Sequence, residues 1–380
     1  MSILFIAVMA VLISSLFQVN PLLVAGSLAL IGIVAQPVKG VFAMAITATI
    51  VDIRGKAYEP IIEELLFENK TVGEELVAFA DDIKANTIVT EASTVVAMQA
   101  YTSGLPSASG SLVTSDVAIT PVKVMYYQEF DPNVLRSSRF GRTMKAGAWN
   151  TTSTEFEKVV LGLYGRKISF DAESKFWNGI TAATQTAIAA LTPGTAQTSV
   201  GAAEQTYAAS LTAGQFDGVC SRLIYNNGAL GTRIKVAGTT ITAANVKAEY
   251  DKVYAAIPAV VLNSKAEPPR IYAPYSHIQF INQFNNVATN FKNVFIVTDE
   301  GKPSQKVTFY GIEIVFVPVP ENCIICAVPS YILWATDLVS DINYMEMNKI
   351  ANNRDDMFVK NVFTIFAHVM NQKFNVYYQG

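Results

Sequence analysis

The chain has little charge, little histidine and little cysteine. Of its 380 residues 16% are Asp, Glu, Lys or Arg, two are His and three are Cys. Each scarcity excludes something. Cys220, Cys323 and Cys326 are too few, and odd in number, for a disulfide framework, and they point to reduced thiols and folding in a cytoplasm. With only His277 and His368, the scope for metal or acid–base chemistry is narrow. A net charge of −3 lacks the Lys/Arg excess of a nucleic-acid reader. Weak acidity still allows a protein that lines a DNA-filled space. There is no G-x-S-x-G nucleophile elbow and no P-loop.

The remaining chemical candidates are weak. Asn226-Asn227-Gly228-Ala229-Leu230-Gly231 lacks the third glycine of a dinucleotide fingerprint and reads as a turn. Cys323-Ile324-Ile325-Cys326 is a lone C-x-x-C, whereas zinc needs four converging ligands. Its β-branched flanks indicate a strand, which sends the two sulfurs to opposite faces. Core cysteines are the expectation and a metal or redox pair the alternative. His277, in a short amphipathic helix, and His368, in a strand-like run, read as packing residues. Asp81-Asp82 and Asp355-Asp356 are adjacent pairs, which do not face each other on a helix, so both read as solvated surface. Asn69-Lys70-Thr71 and Asn150-Thr151-Thr152 match a glycan acceptor, which matters only in a secreted chain. No catalytic, cofactor-binding or metal residue is assigned, and no cofactor is implied.

What the chain does have is apolar residues, 51% of the total, enough for a large core and two or three compact units. They are spread unevenly. One basic residue, Lys39, and no acidic residue precede Val51. Ile3 to Phe17 and Leu22 to Ala35 are apolar runs split at Gln18, Asn20 and Pro21, and the pattern reads as a helical hairpin. A lipid-spanning helix needs about 20 apolar residues, which the first run approaches. No positive charge precedes it, as a secretory signal requires, although Ala43-Met44-Ala45 loosely mimics a cleavage site. Residues 1–51 are therefore expected to be a membrane-associating hairpin, an apolar assembly segment or, less in keeping with the charge pattern, a signal.

Beyond Val51 the pattern is that of a mixed α+β protein. Tyr58 to Lys84 has helical spacing through Ile61, Ile62, Leu65, Leu66, Leu76, Val77 and Phe79, and Thr71 with Glu74 suggests a capping box. Thr87 to Met98 and Val117 to Phe130 read as strand-like arms. Between them a Ser/Gly-rich tract, Thr102 to Ser115, would make a long protruding hairpin. Thr152 to Asn178 is the longest helical pattern, with a stripe of Phe156, Val159, Val160, Leu163, Ile168 and Phe176. Gly179 would end it, and Gly162 or Gly165 would permit a kink. Thr181 to Gly214, rich in Ala, Thr and Gly, reads as irregular. Ala243 to Ile257 reads as a helix capped by Thr242 and stopped by Pro258. From Arg270 onward, apart from a short helix from Tyr275 to Phe284, the pattern is mostly strand.

The order of motifs in the last third resembles that of tailed-bacteriophage major capsid proteins, whose fold is shared with encapsulins. Pro268-Pro269-Arg270-Ile271-Tyr272-Ala273-Pro274 before a short helix resembles their strand–helix step. Phe309-Tyr310-Gly311-Ile312-Glu313-Ile314 resembles their tyrosine–glycine–apolar strand. Ser330-Tyr331-Ile332-Leu333-Trp334-Ala335-Thr336-Asp337-Leu338 is similar to their serine–apolar–glycine–threonine–aspartate–leucine segment, with Ala335 where glycine is common. Arg354-Asp355 before closing strands, and Glu173 to Gly179 ending a long helix, also fit. The likeness runs from about Ala57 to the end.

The resemblance implies a capsid fold with an extended N-terminal arm, a long hairpin (E-loop), a peripheral P-domain on a spine helix and an axial A-domain. Residues 1–51 would be the apolar segment, 52–90 the arm, 91–128 the extended loop, 129–180 the peripheral part with the spine helix, 181–267 the axial part, and 268–380 the β-rich remainder. It implies a non-enzymatic subunit that assembles with itself into pentamers and hexamers. The expected product is an icosahedral head around double-stranded DNA touched without sequence preference. Portal, scaffolding or decoration proteins are the expected partners, with transient membrane association through residues 1–51. The expected location is the virion, after assembly in the host cytoplasm or at its inner membrane. An encapsulin-like nanocompartment and a membrane-anchored surface protein are the rival readings.

Overall fold

The computed structural model describes residues 70–83, 87–105, 107–133, 154–226, 229–264, 267–287, 294–298, 306–337, 345–350 and 356–380. The expectations for residues 1–51, for Tyr58 to Asn69, for Asn150 to Thr152, for Asn227-Gly228 and for Arg354-Asp355 lie outside them.

From Lys70 the chain makes one helical turn, α1 (Lys70–Gly73), and a short strand, β1 (Ala78–Ala80). The expected helix through Leu76, Val77 and Phe79 is therefore corrected. Glu75 has φ 51°, in the left-handed region, and no α-helix continues through it. Thr71 lies inside α1 and not before it, so the capping box is not formed. Two long strands follow, β2 (Thr87–Val96) and β3 (Gly110–Ile119), and then β4 (Val122–Phe130). The single arm expected from Val117 to Phe130 is thus broken at Thr120 and Pro121, where a proline cannot donate to a ladder. The end of the expected Ser/Gly-rich tract, from Gly110 to Ser115, is strand.

The long helix is α2 (Thr154–Asn178), unbroken at both internal glycines. Gly179 follows its last residue, and only glycine fits there: a Cβ would lie 2.6 Å from the Lys175 carbonyl oxygen and 2.9 Å from that of Phe216. Its buried stripe differs from the one expected: Leu161, Gly165, Ala172 and Phe176 face inward, while Leu163 is exposed. Together with half-buried Ile168 these follow steps of three and four, and the small residues among them hide the stripe from a search for large apolar ones. Two helices, α3 (Ala182–Ala189) and α4 (Ala202–Ser210), replace the irregular stretch expected from Thr181 to Gly214. Alanine is the strongest helix former, and Thr181 caps α3 by accepting the Thr184 amide.

Then come α5 (Val219–Ile224), β5 (Tyr225–Asn226), β6 (Ala229–Leu230), β7 (Ile234–Ala237), α6 (Val246–Ala256), α7 (Ala259–Leu262), β8 (Arg270–Ala273) and α8 (Ser276–Asn286). The chain closes with β9 (Phe295–Thr298), β10 (Lys306–Phe309), β11 (Ile312–Phe316), β12 (Cys323–Ala327), β13 (Ile332–Ala335), β14 (Met345–Lys349), β15 (Met357–Val369) and β16 (Val376–Gln379). Seven strands form a mixed sheet in the order β7-β16-β12-β8-β11-β10-β9. β12 is buried at every position, which explains why it is apolar throughout. Its even and odd residues feed different cores. Cys323, Ile325 and Ala327 pack with Phe176, Trp177 and Leu223, whereas Ile324 and Cys326 pack with Tyr250 and Val253 of α6 and Ile281 of α8.

The second sheet runs β1-β13-β15-β14, with β4 also on β15. The 13 residues of β15 pair with β4 from Met357 to Ile365 and with β13 from Phe366 to Val369. The end of α2 joins the two sheets. Phe176 stacks on Trp334 of β13 at 4.4 Å and Trp177 meets Tyr272 of β8 at 5.1 Å. The Trp177 indole donates to the Thr71 hydroxyl at 3.0 Å, and that hydroxyl donates to Glu173. Burial pushes the Glu173 carboxyl up in pKa against the pull of those hydrogen bonds.

Candidate assembly surfaces

The first surface is the ribbon of β2 and β3. They pair from Thr87↔Ile119 to Val96↔Gly110, and among the described residues neither is hydrogen-bonded to a third strand. Successive strand residues point to opposite faces. Leu112 is 67% and its neighbour Val113 61% exposed, so neither face of the ribbon is covered there. At the tip Met98, Tyr101 and Leu105 are wholly open to solvent. A lone two-stranded ribbon is marginal in water. Covering one such side chain is worth roughly 1.5–3 kcal/mol, so these residues are a reserve of binding energy.

Among the described residues the ribbon is held at its root. Ile119 and Ile83 are buried with Leu333, Ala335 and Phe366. Glu91 of β2 accepts the Asn371 amide at 3.3 Å and lies 3.8 Å from His368 of β15.

Two further apolar patches are exposed, one on the outer side of α2 and one on the face of β4 turned away from α2. Leu163 and Phe170, seven residues apart, are both exposed and share one side of the helix. Met125 and Tyr127 alternate outward on β4, while Tyr126 turns in and donates to Asp171 of α2 at 2.7 Å. The contact raises the Tyr126 pKa, chiefly through burial and then through the carboxylate. Neither the Leu163/Phe170 pair nor the Glu91/His368 pair follows from the sequence pattern. Leu163 belongs to the expected core stripe and Phe170 lies outside it, and the second pair joins residues 277 positions apart, for which a single sequence offers no signal.

The residues that the sequence singled out are placed as follows. Cys220, Cys323 and Cys326 are free and buried. Burial raises the Cys323 thiol and pushes the Cys326 thiol up to about 12, so neither is a ready thiolate or metal ligand. The two thiols of the C-x-x-C lie in separate cores, on opposite faces of β12. His277 sits in α8 within the second core, its Nδ1 3.0 Å from the Tyr250 hydroxyl and its Nε2 2.9 Å from the Glu321 carbonyl oxygen. Burial pushes its pKa down to about 4. Asp81 and Asp82 are exposed after β1. Among the described residues no group of three or more His, Cys, Asp or Glu is placed to hold a metal ion. Among the described residues no helix is long and apolar enough to cross a membrane.

No family model and no curated protein matches the sequence. Solved structures do. The capsid of a native GTA particle matches with a TM-score of 0.52 at 10% identity, over 90% of this chain and 99% of that one. The procapsid of satellite phage P4, which includes a size determination protein, matches with a TM-score of 0.49 at 8% identity, over 86% and 91%. The virus-like particle from Pyrococcus furiosus gives 0.42 at 10% identity, over 86% and 100%. The fold is that of the GTA capsid subunit, and the α+β capsid architecture implied by the motif order is the one present.

Proposed function

We propose that the chain is the major capsid protein of a tailed phage, a structural subunit that assembles with itself into pentamers and hexamers of an icosahedral shell around double-stranded DNA. The observation that carries this reading is the β2–β3 ribbon: a long arm with apolar side chains on both faces and at its tip, attached to a capsid-type fold. Such an arm gains stability only when a sister copy covers it, and heterologous contacts that close into rings supply those copies. In this reading residues 52–90 and 91–128 are the arm and the loop that reach neighbours. Residues 129–180 carry the spine, 181–267 lie towards the ring axis, and 268–380 complete the sheets. Residues 1–51 act in assembly or touch the membrane transiently. Portal, scaffolding and decoration proteins complete the head.

The test is to express the full chain and follow it by sedimentation and negative-stain microscopy. Megadalton closed particles are expected. In a second protein Ala92–Thr114 is replaced by Asn-Gly, a two-residue hairpin turn that keeps the root. That protein should fold as a subunit and form no shells, and normal shells from it would refute the arm. Particles that enclose a protein cargo and no DNA would mark a nanocompartment. A chain that partitions with membranes and never sediments as a particle would mark a surface protein.

A further inference from the structure

The outer side of α2 carries an apolar pair in a basic frame. Leu163 is 64% and Phe170 58% exposed, two turns apart on one side of the helix. Arg166 and Lys167, both exposed, lie three and four residues from each of them, so one basic side chain stands on either flank. Trp177, seven residues beyond Phe170, continues the same side to the end of the helix.

The chain itself supplies a segment with the opposite frame. Tyr58, Ile61, Ile62, Leu65 and Leu66 recur at the steps of one helical face. Glu59 and Glu63 border that face on one side, Glu64 and Glu68 on the other, and no basic residue lies between Lys56 and Lys70. The segment lies outside the described residues, but the point where it joins them is fixed on α2. Thr71 donates its amide to Glu173 at 2.9 Å, and its hydroxyl accepts the Trp177 indole at 3.0 Å. Lys70 donates to the Phe316 carbonyl oxygen at 3.1 Å. The residues before Lys70 therefore begin at the C-terminal end of the exposed side of α2.

We propose that residues 58–69 lie as an amphipathic helix along the outer side of α2 of the same chain. Ile61, Ile62, Leu65 and Leu66 cover Leu163 and Phe170, and the two rows of glutamates meet Arg166 and Lys167. The lengths agree. Ten helical residues back from Thr71 reach Ile61, and ten back from Glu173 reach Leu163, about 15 Å in each case. The anchor at Thr71 leaves no residues for a reversal, so the two helices run parallel. That direction sets Glu63 on the side of Arg166 and Glu64 on the side of Lys167. The hairpin tip is the other apolar candidate within this chain, but residues 96–115 hold no charge and do not answer the basic frame. The inference concerns a single subunit and does not depend on the shell. It divides the arm of residues 52–90: the part from Tyr58 onward covers its own spine helix, and the part before it is left to reach a neighbour.

Cross-linking of the full chain tests this. Glu64→Cys with Lys167→Cys should place two thiols within the span of a short bismaleimide, while the native cysteines stay buried. A link within one chain is expected, leaving the chain mass unchanged on a denaturing gel, with the joined peptides identified by mass spectrometry. Links that double the chain mass would put the segment on a neighbour, and no link would leave the side bare; either overturns the proposal. Glu64→Cys with Met125→Cys, on the face of β4 turned away from α2, should link at least about tenfold more slowly, and equal rates would overturn it too. Leu163→Asp with Phe170→Asp changes only exposed positions of α2. It should speed cleavage by a Glu-specific protease at Glu59, Glu63, Glu64 and Glu68 about tenfold, since proteolysis follows the population of the open segment. Unchanged cleavage would likewise refute the docking.

Discussion

His277 should make the protein sensitive to mild acid, and the size of the effect follows from its surroundings. Its Nε2 must carry the ring proton, because it faces the Glu321 carbonyl oxygen at 2.9 Å, and Nδ1 is left to accept from the Tyr250 hydroxyl at 3.0 Å. Tyr250 is itself buried against Phe295 and Phe309, so no water replaces these partners. Burial drives the pKa down to about 4 from an ordinary 6.5, slightly offset by the carbonyl. A depressed histidine favours the native state only while it is neutral. Above about pH 6.5 neither state holds the proton, and there is no cost. Between about 6.5 and about 4 the unfolded chain holds a proton that the native one refuses, so stability falls by about 1.4 kcal/mol per pH unit. The full loss is about 3 kcal/mol, reached near pH 4. Urea denaturation of dispersed subunits, followed by tryptophan fluorescence, measures it. His277→Gln is the control, since its amide can donate to Glu321 and accept from Tyr250 without titrating. The difference in pH dependence between wild type and variant isolates His277 from the carboxylates. It should amount to about 3 kcal/mol, with the variant flatter. Identical slopes in the two proteins would refute the reasoning.

Four other perturbations probe the fold and its surfaces. Phe176→Ala removes the ring stacked on Trp334 and should cost about 3–5 kcal/mol, seen as a lower denaturation midpoint. Glu204→Ala leaves buried Arg233 without the carboxylate now 2.6 Å away and should cost about 3–5 kcal/mol by the same assay. Gln197 imitates a neighbouring strand on the open edge of β7, accepting the Lys235 amide at 2.6 Å and donating to its carbonyl at 2.9 Å. Gln197→Ala should cost about 1–3 kcal/mol and raise concentration-dependent aggregation, followed by light scattering. Met98→Ser with Leu105→Ser, both at the open tip, should leave the denaturation midpoint within about 0.5 kcal/mol of wild type yet weaken particle formation in sedimentation.

Much of the fold was legible where the local pattern and the tertiary demand agree. The period of β12 fixed where its two cysteines would point, because a strand buried on both faces has no other arrangement. Gly179 marked the end of α2, since nothing larger fits against the Phe216 carbonyl. The hairpin was visible as two extended runs around a polar tip. What failed did so for physical reasons. Leu76 to Phe79 has helical spacing, yet the parallel pairing of β1 with β13 and the left-handed Glu75 overrule it. The Ala-rich stretch after Thr181 looked featureless because helices made of alanine have no large apolar stripe to display. Leu163 was assigned to the core when Gly165 and Ala172 hold that place. The Glu91–His368 contact and the Glu204–Arg233 pair were invisible, since each is made by the closure of the fold and not by spacing along the chain.

The role of β15 shows why an arm of this kind need not be an independent appendage. Its first nine positions pair with β4, the next four with β13, and the left-handed turn at Asn371 then carries the chain into β16 of the other sheet. The hairpin root rests on this strand at Phe366 and His368, and β4, which follows the hairpin directly, is bound along it. A pull on the ribbon would therefore be borne by β15, the longest strand in the described protein. Packed sheets deform in discrete steps more readily than continuously. The ribbon is thus open to solvent at its tip, at Met98 and Leu105, and held at its root, the combination expected of the proposed shell subunit.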